Sequence, residues 1–152
     1  DKTNYKDPAY YNNTNSSYTF ADGQVTESWG TATAKELEDR NATDEDGVEL
    51  NPIVVIEGLK TEKKKIVKAQ ASTLLERTDW HNHKALDDDS YTIPDNIKTY
   101  RANVRAKSNE METQIDACNN VDELKTLYEY VNTGTEENPV YERPLAEFPE
   151  EI

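Results

Sequence analysis

The most constraining feature of this sequence is an apolar stripe with helical spacing between residues 93 and 118. Its members follow one another at intervals of 4, 3, 4, 7, 4 and 3 residues, with a polar gap near Lys107 and Ser108. This heptad-like spacing predicts a long helix over 93–118 with one apolar face, which needs an apolar partner. The stripe consists of Ile93, Ile97, Tyr100, Val104, Met111, Ile115 and Cys118.

The preceding segment supplies the nearest partner for this face. Residues 59–78 combine a lysine cluster with apolar residues and predict a helix of about five turns. We therefore expect a helical hairpin, with residues 79–92 as the loop between its helices. Thr92 and Asp95 form a capping pattern at the start of the second helix.

A third helix is predicted over residues 121–131. Asn120 is a favourable N-cap residue, and Glu123 stands at the reciprocal position of a capping pattern. The three predicted helices define a helical module over residues 58–131. The apolar face of the third helix consists of Leu124, Leu127, Tyr128 and Val131.

The clearest β signal is the Asp22-Gly23 pair, which lies between two alternating segments. Tyr18 and Phe20 alternate with polar residues ahead of it. A type I′ turn requires positive φ at both central residues, which this pair tolerates, so residues 16–29 predict a β-hairpin. A lone hairpin is marginal in water, and this one must pack on a helix, another strand or a partner chain.

The segment between the hairpin and the helical module has three predicted parts. Residues 31–40 favour a short helix with Thr33 or Thr31 as its cap, and an acidic loop follows. The β-branched run at 53–56 predicts a short buried strand. Together with the hairpin these parts form a β-hairpin and acidic-loop region over residues 16–57.

Both ends of the chain lack a helical or strand period. Residues 1–15 are polar and Tyr-rich, and residues 132–152 are acidic and contain Pro139, Pro144 and Pro149. We predict an extended arm and an acidic tail that either wrap neighbouring chains or stay loose. The predicted fold class is therefore α+β, with a β-hairpin region, a three-helix module and extended arms. The candidate arm anchors are Tyr10, Tyr11, Tyr141 and Phe148.

The charge of the chain excludes several classes of partner. Lys and Arg number 17 against 31 Asp and Glu, so the net charge is -14. This argues against binding nucleic acid or an anionic membrane, because both require basic residues. The lysine cluster KTEKKK is expected to pair with acidic segments of the chain itself or of a neighbouring subunit.

Few residues form a pattern that carries chemistry. His81 and His83 stand at alternate positions and could share a metal, but a complete site needs more ligands than the nearby sequence offers. The loop at Asp44 lacks the first and last oxygen ligands of a calcium-binding loop. Cys118, the single cysteine, lies on the apolar stripe, which favours burial over reactivity. We predict no catalytic, cofactor-binding or metal-binding residues, and no cofactor.

Residues 74–105 carry a distinctive motif, in which a lysine-rich helix ends in Leu-Leu-x-x-Thr-Asp-Trp and Ile-Pro precedes a helix with Tyr-Arg and a second Arg. The motif resembles the C-terminal module of bacteriophage tail assembly chaperones and tail-fibre-associated proteins. The resemblance implies a helical-hairpin clamp in which Trp80 covers the junction and Asp79 caps the turn or pairs with Arg101 or Arg105. The motif residues are Leu74, Leu75, Thr78, Asp79, Trp80, Ile93, Pro94, Tyr100, Arg101 and Arg105.

This resemblance and the arms together lead to a functional expectation. We expect a non-enzymatic virion component of a tailed phage, located in the tail, neck or fibres and made in the host cytoplasm. Its expected partners are other tail or fibre proteins and further copies of itself in a symmetric array, with no nucleic acid and no membrane. One alternative is a fibre assembly chaperone that leaves before maturation. Another is a metal-dependent enzyme that uses His81 and His83.

Overall fold

Two long antiparallel helices form the centre of the protein in a computed structural model, which describes residues 2–152. The longest helices pack along each other and confirm the predicted helical hairpin. Among the helices of the described residues, none has the length and apolarity needed to cross a membrane. The helices are α1 (Leu59–Glu76), α2 (Asp79–Asp87), α3 (Asp95–Ala117) and α4 (Val121–Tyr128).

The predicted apolar stripe forms the buried face of α3. Val104 and Ile115 are completely inaccessible to solvent, and Ser108 in the polar gap is buried as well. Ile93, the first residue of the stripe, is half-buried and precedes the helix. The spacing therefore placed the inward face of α3 correctly, because one side of a helix with this period must meet the core.

The segment between α1 and α3 differs from the prediction. Residues 79–92 were expected to be a loop, but α2 occupies most of this segment. The module therefore has four helices rather than three. The predicted Thr92 cap of α3 is also wrong, since Pro94 is the N-cap residue and no side chain caps it. The predicted Asn120 cap of α4 is confirmed, because its Oδ1 accepts a 2.9 Å hydrogen bond from the Glu123 backbone N–H.

The described residues contain short strands in four separate small sheets. The largest sheet has the order β1-β4-β3, with β3 and β4 antiparallel and β1 parallel to β4. The other sheets pair β2 with β5, β6 with β7 and β8 with β9. The strands are β1 (Lys2–Thr3), β2 (Tyr11–Asn12), β3 (Ser17–Ala21), β4 (Gln24–Ser28), β5 (Thr33–Ala34), β6 (Arg40–Asn41), β7 (Val55–Ile56), β8 (Val131–Asn132) and β9 (Tyr141–Glu142).

The predicted hairpin is confirmed, with β3 and β4 joined by the Asp22-Gly23 turn. Both turn residues have positive φ, 51° at Asp22 and 77° at Gly23, as a type I′ turn requires. The third strand that stabilises the hairpin is β1. Every residue of β3 is nevertheless exposed, so the hairpin contributes little to the core.

The predicted helix over 31–40 is wrong, because this segment is extended and caps α1. The Glu36 carbonyl accepts a 2.9 Å hydrogen bond from the Leu59 N–H, and the Leu37 carbonyl accepts one of 3.1 Å from the Lys60 N–H. The first N–H groups of a helix have no partner within it. Tertiary contacts to these groups therefore override the helical propensity of the segment.

Only the second half of the run at 53–56 forms a strand, β7, and the run is not buried, contrary to the prediction. Ile53 is 64% exposed and Val55 is 54% exposed. Among the described residues, strand β7 pairs with β6 only, and its side chains Val55 and Ile56 are 54% and 38% exposed.

Both ends of the chain pack on the helical module. The core contains Tyr10 and Tyr11 from the predicted arm and Leu145 from the predicted tail, all less than 7% exposed. Phe148 is half-buried and contacts both hydrophobic clusters. These residues anchor the ends to their own chain. Tyr141, the remaining candidate anchor, is 64% exposed.

Candidate interaction surfaces

The motif residues meet where α1 ends and α2 begins. Arg101 of α3 is buried there, and its Nη1 donates to the Leu75 carbonyl at 2.8 Å and to the Thr78 Oγ1 at 2.7 Å. Its Nη2 lies 2.7 Å from the Asp79 carboxylate. Of the two predicted partners of Asp79, the structure therefore selects Arg101.

A second buried cation holds the opposite end of the α1–α3 pair. Lys60, in the first turn of α1, is 8% exposed, and its Nζ donates to the Asp116 carbonyl of α3 at 3.0 Å. It also forms an ion pair with Glu38. Each long helix thus supplies a cation to the C-terminal carbonyls of the other, where a positive charge complements the helix dipole. This role of Lys60 was not predicted from the sequence, because basic residues in a surface cluster rarely become buried.

Trp80 does not cover the junction, contrary to the resemblance-based expectation. Its side chain is 54% exposed and stacks on His81 at a centroid distance of 3.7 Å. In the first turn of α2, Asp79 is the residue that faces Arg101, and the adjacent Trp80 projects in a different direction. Trp80 is therefore an exposed aromatic residue at the tip of the helical module.

The other motif residues are divided between the core and the surface. Leu74 and Leu75 are partly buried against Ala71, Tyr100 and Val104. Arg105 is exposed, and its Nη1 lies 3.4 Å from the Arg101 carbonyl oxygen. The structure thus brings together Leu75, Thr78, Asp79 and Arg101, and leaves Trp80 and Arg105 outside this network.

The histidines of the metal hypothesis lie in different environments. His81 is buried, and its Nδ1 lies 2.5 Å from the Tyr91 hydroxyl oxygen. His83 is exposed. Within residues 2–152, no group of three or more His, Cys, Asp and Glu residues is arranged to hold a metal ion.

The acidic turn at Asp44 and the apolar-stripe cysteine also have local explanations. Asp44 Oδ1 accepts hydrogen bonds from the Asp46 and Val48 backbone N–H groups at 3.0 and 2.9 Å. Burial raises the pKa of the Cys118 thiol, and Glu123 adds to this shift. A raised pKa disfavours the reactive thiolate, in agreement with the prediction of a buried cysteine.

The lysine cluster pairs with acidic residues of the same chain, which confirms this part of the prediction. Lys64 lies 2.7 Å from Asp116 and Lys68 lies 3.2 Å from Glu112, both on α3. The hydrogen bond to Asp116 is the main reason that the pKa of Lys64 is raised. Lys65 pairs with Glu57. The basic cluster is therefore used within the fold and does not form an open basic patch.

The buried arm residues form an aromatic cluster around Lys63. The Lys63 ammonium lies 4.8 Å from the Tyr10 ring centroid and 4.9 Å from that of Tyr128. The Tyr11 hydroxyl donates to the Asp122 carboxylate, which is the main cause of a rise in the pKa of Tyr11 to about 12. Burial raises the pKa of Tyr128 to about 12 as well. These contacts fix the N-terminal arm against α1 and α4.

The largest set of exposed apolar side chains lies between residues 48 and 56, which we name the aliphatic surface. Six large aliphatic residues in this nine-residue segment are each at least 37% exposed. Contiguous exposed apolar residues are typical of interaction sites. Part of this run was predicted to be buried, because β-branched residues alone do not distinguish a covered strand from an open one. The aliphatic surface consists of Val48, Leu50, Ile53, Val54, Val55 and Ile56.

A second apolar feature is a groove between α1 and the C-terminal tail. The groove encloses about 650 Å³ and has Ile66, Leu74 and Phe148 among its apolar lining residues. Arg77 and Glu151, which also line it, form an ion pair with each other.

Comparisons with protein-family models, curated proteins and solved structures find no match to this chain.

Proposed function

We propose that this chain is a non-enzymatic structural component of a tailed bacteriophage particle, located in the tail, neck or fibre region. It acts by protein–protein contact, with the four-helix module as a rigid support and the small sheets as contact surfaces. The observation that carries the proposal is the aliphatic surface, whose six residues lie on a mostly irregular segment that ends in β7 and are each at least 37% exposed. The motif resemblance supplies the phage setting.

The distribution of burial supports a contact role. The helical module closes its own core and neutralises its lysines with its own acids. The segments before it leave apolar side chains in water, at a cost of roughly 25 cal/mol per Å² of apolar area that contact with a partner would remove. A neighbouring protein in an assembled particle would cover this area.

The proposal is tested by protein mass spectrometry of purified particles of the phage that encodes the chain. A stoichiometric presence is expected, and absence from mature particles would contradict it. The aliphatic surface is tested with Val55→Asp, which we expect to lower incorporation because it places a charge among contact residues. Leu86→Asp is the matched control, because Leu86 is 81% exposed on α2 and should leave incorporation unchanged.

A second candidate function is a fibre assembly chaperone that leaves before maturation. The groove between α1 and the tail favours it, because an open apolar groove can bind a segment of an unassembled fibre protein. Presence in infected-cell extracts together with absence from purified particles would support this candidate over a structural component.

A further inference from the structure

Strand β3 forms an open edge of the three-stranded sheet. The sheet order is β1-β4-β3, so among residues 2–152 no strand pairs with the outer side of β3. In a hairpin with a two-residue turn, Ala21 and Gln24 form a hydrogen-bonded pair, and such pairs alternate along the ladder. The backbone N–H and C=O groups of Tyr18 and Phe20 therefore point away from β4, toward the open edge.

This edge lacks the features that normally prevent strand pairing. Natural edge strands are protected by charged residues, prolines or bulges. Strand β3 reads SYTFA, without a charge or a proline, and pairs continuously with β4. Its residues Tyr18 and Phe20 are 67% and 75% exposed.

We propose that β3 pairs with β3 of a second copy of this chain, in an antiparallel and two-fold symmetric arrangement. This inference rests on the proposed function for its setting and deepens it by naming one partner. With Thr19 opposite Thr19 of the second copy, Tyr18 of each chain faces Phe20 of the other. Both are residues whose backbone groups point outward, so four backbone hydrogen bonds form across the edge.

The side chains fit this register. Residues directly opposite each other in an antiparallel pair project from the same face, and aromatic cross-strand pairs are favourable. The arrangement creates two Tyr18–Phe20 pairs on one face and leaves small residues, Ser17, Thr19 and Ala21, on the other.

Electrostatics favour this edge over other surfaces for self-association. Two copies carry -14 each, so most contacts between them bring acidic residues together. Strand β3 has no charged residue, and Glu27, the cross-strand partner of Tyr18 on β4, accepts a 2.7 Å hydrogen bond from the Tyr18 hydroxyl. Strand β1 at the other edge has two residues, which favours a closed dimer over a filament.

A cross-linking experiment on the purified chain tests the register. Thr19→Cys is expected to give a disulfide-linked dimer under mild oxidation, because Thr19 faces its own copy across the two-fold axis. Thr26→Cys is the matched control, since Thr26 lies opposite Thr19 on β4, between β3 and β1. Equal cross-linking of the two variants, or none of Thr19→Cys, would overturn the proposal.

A mass measurement tests the edge without a new cysteine. With rising concentration, light scattering should show the unmodified chain approaching twice its 17.3 kDa. Phe20→Pro should remain monomeric, because it removes an outward N–H without removing a bond to β4. A monomer at all concentrations, or a dimer that persists in Phe20→Pro, would overturn the pairing. Either result leaves the particle test of the proposed function unaffected, since that test does not depend on self-association.

Discussion

Among single residues, Arg101 is a buried cation whose guanidinium makes several polar contacts. It is 7% exposed and contacts the Leu75 carbonyl, the Thr78 hydroxyl and the Asp79 carboxylate, where α1, α2 and α3 meet. Arg101→Ala would remove these three charge-assisted contacts and leave the Asp79 carboxylate without its cation, and we expect it to lower the free energy of unfolding by about 2–3 kcal/mol. Urea denaturation measures this loss. Arg105→Ala, one turn later and exposed, should change stability by no more than about 0.5 kcal/mol, and equal losses would contradict the role of Arg101.

Tyr11 provides a pH-dependent prediction at the same scale. Its hydrogen bond to Asp122 raises its pKa to about 12, above the ordinary tyrosine value of about 10. Because the folded-state pKa is the higher one, the stabilisation is complete below pH 10 and declines as the pH rises from about 10 through about 12.

The phenolate absorbance of the folded protein measures this effect. Asp122→Asn removes the carboxylate that disfavours ionisation, so one of the late-titrating tyrosines should ionise at lower pH. Tyr11→Phe should abolish this effect of Asp122→Asn on the absorbance titration, whereas Tyr128→Phe should leave the effect in place. A titration curve that Asp122→Asn does not change would contradict the assignment to Tyr11.

At the scale of elements, the start of α1 depends on a close approach between two backbone segments. A Cβ on Gly58 would lie 2.5 Å from the Glu38 carbonyl carbon and 2.6 Å from the Leu37 carbonyl oxygen. Gly58→Ala must therefore displace the segment that caps α1, and we expect a loss of about 2 kcal/mol in thermal or urea unfolding. Gly30→Ala is the milder comparison, because its closest contact would be 3.2 Å, to Thr14. A larger loss at Gly30 would contradict this account.

The elements also show which parts of the fold could be predicted from sequence. The face of α3, the turn at Asp22-Gly23 and the Asn120 cap depend on neighbouring residues, and each prediction was confirmed. The extended conformation of 31–40 depends on N–H groups at the start of α1, some twenty residues away. The hydrogen bond from the Gly58 N–H to the Asp39 carboxylate joins the same two segments. Local propensity cannot register such contacts.

The same limit applies to the candidate surfaces. Helix α2 lacks an apolar stripe and was predicted to be a loop, but its first turn is held by the Asp79–Arg101 ion pair, which arises only when α3 is in place. The aliphatic surface has the composition of a buried strand, but its side chains are exposed in the fold, which composition does not reveal. The position of the Trp80 indole depends on the path of α2, which the sequence pattern did not predict.

At the scale of the whole molecule, the chain ends complete the core that the helices begin. Leu145 is 2% exposed, and its backbone N–H donates to the Leu127 carbonyl at 3.0 Å. On either side of it, the Gln114 side chain donates to the Pro144 carbonyl at 3.1 Å and accepts from the Ala146 N–H at 2.8 Å. The tail is thus fastened to α3 and α4 around one buried leucine.

A substitution at Leu145 distinguishes a tail that is part of the folded domain from a tail that folds only on binding a partner. If the tail folds with the helices, Leu145→Ala leaves a cavity in the main core and lowers the free energy of unfolding of the purified chain by about 3 kcal/mol. Tyr141→Ala, at a 64% exposed position in the same tail, should change it by no more than about 0.5 kcal/mol. Urea denaturation distinguishes the two cases. A Leu145→Ala protein as stable as the parent would mean that the tail leaves the core in solution and is free to bind a neighbouring chain instead.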